Sequence, residues 1–157
     1  MEILKKIEDI FATFHDGTIE DWNGNSEKLL LKISCEYLAE ILDQTFEYFY
    51  VELNNVSKLE LLTYSNDNTN VKNQEPNIVC EFSDIFSEEI DIFYAKTVNS
   101  YVEINCWQTN AIKNYVANAF LISCDEIKIY DQNKIEISDE KLFEISDLYW
   151  SNFGNKK

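Results

Sequence analysis

The sequence holds one histidine, His15, and it stands directly before an aspartate, Asp16. An imidazole beside a carboxylate is the minimum of a general acid–base pair. Metal-dependent phosphohydrolase sites also use such a pair, but they need several histidines and carboxylates to hold the ion. No second histidine is present, so no metal is expected. A thiol activated by His15 would need one of the four cysteines, Cys35, Cys80, Cys106 or Cys124, to lie exposed beside it. None forms a C-x-x-C pair and all four stand in apolar runs. The expectation is four buried thiols, with a cross-strand disulfide left open if the protein is exported. No phosphate-cradling loop, dinucleotide fingerprint, nucleophile elbow or EF-hand loop occurs, so no cofactor is expected. The acidic pairs Glu88-Glu89 and Asp125-Glu126 follow from acid density alone.

Charge is more informative than catalytic residues. The chain has 29 acids against 13 bases, a formal net charge of −16. Every base is a lysine. Phosphates and base edges are read chiefly by arginine's planar fork, so nucleic acid is not an expected partner. A basic protein partner is, because opposite potentials steer association. The plainer alternative is that acidity only keeps the protein soluble. Acids and rings are interleaved over Glu81 to Tyr94, Glu47 to Glu52 and Tyr101 to Trp107, the ingredients of an interface. Asp84, Glu88, Glu89 and Asp91 are the expected contacts.

These residues need a scaffold, and 157 residues at 45% hydrophobic content suit one domain spanning 1–157. One proline and three glycines leave no linker. An acidic start and the lack of a long apolar run point to no leader, no membrane and a cytoplasmic location. Ile3, Ile7, Ile10 and Phe14 recur at helical spacing, and Asp16-Gly17 ends that helix. After the turn signal Asn23-Gly24, Leu29, Leu31, Ile33 and Cys35 alternate as a strand. Tyr37 to Asp43 reads as a helical turn or a broad connection. Phe46–Leu53 and Leu59–Tyr64 read as a hairpin across Asn54-Asn55. Residues 65–77 read as an exposed loop, and Ile78–Phe82 as a short strand. Asp84–Tyr94 fits helix or strand. Val98–Trp107 reads as one strand, Thr109–Asn118 as a connection, and Ala119–Tyr130 with Lys134–Ile137 as a hairpin. A last helix, capped by Ser138 or Asp139, turns Leu142, Ile145, Tyr149 and Phe153 inward. The fold class is α+β: a curved, mainly antiparallel sheet with an N-terminal and a C-terminal helix packed on it.

Phe14-His15-Asp16-Gly17-Thr18-Ile19, followed by Leu29-Leu30-Leu31-Lys32-Ile33, resembles the opening of a group of small bacterial domains with a Phe-His-Asp-Gly or Phe-His-Asp-Ala signature. Some of these are immunity proteins of polymorphic toxin systems. The likeness covers roughly the first third of the chain. It implies an α+β domain without known enzymatic activity, in which His15, Asp16 and Gly17 carry structural weight. Together with the acidity, it leads to an expected immunity protein that occludes a basic toxin, such as a nuclease. A small enzyme using His15 with a carboxylate or thiol is the alternative. A third reading is an acidic mimic of DNA.

Overall fold

The computed structural model describes residues 2–66 and 75–155. It contains α1 (Glu2–Thr13), β1 (Thr18–Gly24), β2 (Lys28–Ser34), α2 (Glu36–Leu42), β3 (Tyr48–Ser65), β4 (Asn77–Val79), α3 (Phe82–Ile85), β5 (Ile90–Val98), β6 (Tyr101–Asn110), β7 (Tyr115–Tyr130), β8 (Glu136–Ile137) and α4 (Asp139–Asn155). The fold is α+β, and every strand pairing is antiparallel.

The sheet runs β4-β3-β2-β1-β5-β6-β7-β8, and β3 also pairs with β7. That extra pairing rolls the sheet round on itself. Residues 50–54 of β3 bond β2 on one edge and β7 on the other. Antiparallel strands twist, and rolling a twisted sheet until its edges meet removes exposed edge groups. The joint between β1 and β5 is short, at Thr18–Asp91 and Ile19–Ile90. Beyond it Trp22 packs against Phe82 and Phe86 of the α3 region, with centroids 6.3 and 5.9 Å apart.

The alternation in β2 and β3 holds. Leu29, Leu31, Ile33, Phe49, Val51 and Leu53 are buried. Helix α1 packs on β5, β6 and β7. Phe11 meets Phe120 edge-on at 6.0 Å, and Phe14 meets Phe49 at 5.2 Å. Such a fully buried ring costs about 3–5 kcal/mol to truncate to alanine. Glu8, on the outer side of α1, accepts a hydrogen bond from the Thr97 N–H at 2.6 Å, covering an amide on the open edge of β5. In α4, Ser138 supplies the cap, its Oγ accepting from Lys141 N–H at 3.0 Å. Leu142 and Ile145 are buried, but Phe153 is exposed, contrary to expectation.

Three local expectations are corrected. Asn54-Asn55 is no hairpin turn: β3 continues through it. Asn55 takes φ 53° and a bulge follows between Val56 and Lys58. The long partner β7 keeps the strand extended across the kink, so the two halves pair with other strands instead of each other. Conversely, Val98–Trp107 is not one strand. It contains the hairpin turn Asn99-Ser100, with Asn99 at φ 56°. Thr109–Asn118 is no broad connection either: β6 and β7 are joined by the tight turn 111–114, where Asn114 takes φ 56°. The ambiguous stretch divides, α3 ending at Ile85 and β5 beginning at Ile90. Most of the expected 65–77 loop lies outside the described residues.

Candidate interaction surface at the helix-to-strand turn

Helix α1 ends with Phe14 N–H bonded to Ile10 O, and Gly17 N–H then reaches back to Phe14 O at 2.8 Å. The left-handed residue of this turn is Asp16, at φ 65°, a conformation that aspartate tolerates better than most. Gly17 serves a different need. A Cβ there would lie 2.8 Å from Phe14 O and 3.0 Å from Ser34 O. The turn is therefore close-packed, and hydrogen is the side chain that fits.

This turn is bonded to the acidic segment. Asp16 N–H donates to Ile92 O, and Ile92 N–H donates to Gly17 O, both at 2.8 Å. Thr18 Oγ1 donates to Asp91 Oδ1 at 2.8 Å. The signature turn and the acidic strand, far apart in the chain, thus form one surface. Asp91 is paired across to Trp107, so their side chains leave the same face of the sheet. Trp107, Phe93 and Tyr94 are exposed.

His15 completes one end. Its ring stacks on Trp150 at 5.2 Å and an interplanar angle of 23°. Its Nδ1 lies 3.2 Å from Asp16 Oδ2, and its carbonyl accepts from the Tyr37 hydroxyl at 2.8 Å. The imidazole is one-third exposed and lines a solvent-open groove with Asp9, Ala12, Thr13, Phe143, Ser146 and Asp147. The histidine that was expected to fix the turn is therefore also accessible.

The four expected contact acids differ in their freedom. Glu88, Glu89 and Asp91 are exposed. Asp84 forms an ion pair with Lys113 at 2.9 Å, so its charge is partly engaged within the molecule. A buried polar group holds this region in place. Gln108, 1% exposed, donates from Nε2 to the carbonyls of Ile85 at 2.8 Å and Glu88 at 2.9 Å. Its Oε1 accepts from the Tyr115 hydroxyl at 2.9 Å. Asn110, also buried, donates to Ser87 Oγ at 3.3 Å and accepts from Lys113 N–H at 2.8 Å. Gln108 and Asn110 went unnoticed in the sequence. Their signal was there: Val102, Ile104 and Cys106 set an inward alternation, and the next two inward positions are polar.

Burial keeps three cysteines as neutral thiols. It pushes Cys35 and Cys106 up to about 12, and Cys124 to about 11. Cys80 is free but exposed, which corrects the expectation that it is a core residue. It follows β4, a short edge strand with no strand beyond its outer edge among the described residues. Among the described residues, no hydrogen bond joins His15 to a thiol, and no group of three or more His, Cys, Asp or Glu side chains could hold a metal. No helix in the described residues is long and apolar enough to cross a membrane.

No family model, curated protein or solved structure matches the chain. The assignment of a role therefore rests on the surface itself.

Proposed function

We propose that this chain is a non-catalytic binding protein, an immunity protein that neutralises a cognate bacterial toxin by covering a basic face. The observation that carries the reading is the bonding of Asp16 to Ile92, which sets the exposed carboxylates of Asp16 and Asp91 on one surface with Trp107 and Trp150 near its two ends. Exposed rings supply apolar contact area, and carboxylates beside them select a cationic partner. Glu88 and Glu89 extend the negative edge, on a segment already ordered by Gln108. Little ordering entropy then remains to be lost on binding.

The test is a binding assay with the proteins encoded by the neighbouring genes, at low and high salt. Association is expected to slow steeply with salt, and Glu88→Lys, Glu89→Lys and Asp91→Lys together to weaken it. Asp84→Lys serves as a comparison, since Asp84 is committed to Lys113. Binding indifferent to salt and to these reversals would remove the electrostatic mechanism.

A second reading has one observation in its favour. His15 lines a groove with a carboxylate within hydrogen-bond reach, the geometry of a general base. Turnover of a small molecule, lost on His15→Ala, would establish that reading and displace the first.

A further inference from the structure

We propose that the trough between α1 and α4 is a second docking site, and that its occupant is a basic amphipathic helix from a partner protein. Two adjoining hollows, of about 360 and 570 Å³, lie between the helices and share Asp9 and Phe143, and a third, of about 470 Å³, opens off Phe143 along α4 alone. Ala12, Leu148 and Ile3 continue the apolar floor. Leu148 is 47% exposed, so this face of α4 carries an apolar side chain that covers little within the molecule. Along α4 the lining runs from Asp139 to Ser151, roughly 18 Å at the helical rise, which matches about three turns of a partner helix.

The walls choose the charge. Glu2, Asp9, Asp139, Glu140, Glu144 and Asp147 line the trough, against Lys5 and Lys6. Lys5 is already paired with Glu8 and Asp9, both at 2.9 Å. Lys141, close by, lies 3.8 Å from Glu144. A cationic partner is therefore favoured, and an anionic lipid surface is repelled. A second copy of this chain, at −16, is repelled likewise. The backbone chooses the conformation. Both walls are helices whose main-chain groups bond internally, so an extended segment would find no ladder partners. A helix brings its own backbone bonds and contributes only side chains. This trough shares His15 with the face described above, but none of Glu88, Glu89 and Asp91 lines it, and its occupation does not depend on the toxin-binding reading.

The test titrates the full chain with three synthetic peptides: an amphipathic leucine–lysine helix, the same composition with leucines scattered round the helix, and a leucine–glutamate helix. Amide chemical shifts locate binding. The amphipathic leucine–lysine helix is expected to perturb Asp9 to His15 and Glu140 to Ser151, and the other two to bind at least several-fold more weakly. Leu148→Glu decides between docking and general attraction, because it adds negative charge while removing apolar floor. Its side chain is half exposed, so the core is spared. Affinity is expected to fall on the order of tenfold. Unchanged or tighter binding by this variant, shifts centred on Glu88 to Asp91, or equal binding of the scattered peptide would each overturn the proposal.

Discussion

Asp16 is bonded to Ile92, which joins the N-terminal turn to the acidic strand: the Asp16 N–H donates to the Ile92 carbonyl at 2.8 Å. The neighbouring Gly17 carbonyl accepts from Ile92 N–H at the same distance. Everything proposed for this face depends on those two bonds keeping His15 and Asp16 beside Asp91.

Gly17→Ala tests that junction. The added methyl would press on two carbonyl oxygens, Phe14 O and Ser34 O, and neither is the end of a flexible side chain. The expected loss is about 1–3 kcal/mol, as for other overpacked sites. Urea unfolding measures it. A stability equal to the parent's would mean that the turn has room which its geometry denies.

Gln108→Leu keeps the volume and removes the hydrogen bonds. The Ile85 carbonyl and the Tyr115 hydroxyl then lose a buried partner, at a cost of about 1–3 kcal/mol. Hydrogen exchange should quicken from Phe86 to Ile90, ahead of the rest of β5. Equal protection across the segment would show that it is held by packing alone.

Acid should destabilise the protein partly through Glu8. Lys5, which hydrogen-bonds the carboxylate, and the Thr97 N–H hold its pKa below the ordinary glutamate range. A carboxyl lowered by folding contributes stability above its unfolded value of about 4.3. That contribution is lost as pH falls through the lower folded value. Urea midpoints measured across this range should fall less steeply for Glu8→Gln than for the parent. Parallel curves would count against a native-state role for the Glu8 carboxylate.

Thiol labelling should distinguish Cys80 from the other three. Cys35, Cys106 and Cys124 are buried and held as thiols, whereas Cys80 is exposed. A thiol reagent at neutral pH is expected to modify Cys80 rapidly in the native protein, and all four cysteines only after unfolding. Cys80→Ser should abolish the fast phase. Rapid native labelling at Cys35 would reopen a thiol chemistry beside the His15 turn.

The fold class, the two terminal helices, a cap at Ser138 or Asp139 and the facing of Leu29, Leu31, Ile33, Phe49, Val51 and Leu53 were legible in the order of residues alone. These follow from periodicity and from the chemistry of caps, which act within a few residues of chain. The Asp16-Gly17 turn was legible too, although not that Asp16, at φ 65°, is its left-handed residue. Which edges meet was decided by tertiary structure. Asn54-Asn55 has the composition of a turn, yet β7 is long enough to hold β3 extended through it. The bonding of Asp16 to Ile92, the stacking of His15 on Trp150 and the buried reach of Gln108 to Glu88 all join residues far apart in the chain. Local conformational preferences carry no information about such partners. They are selected only when the sheet rolls up and each remaining backbone group and apolar face must find cover.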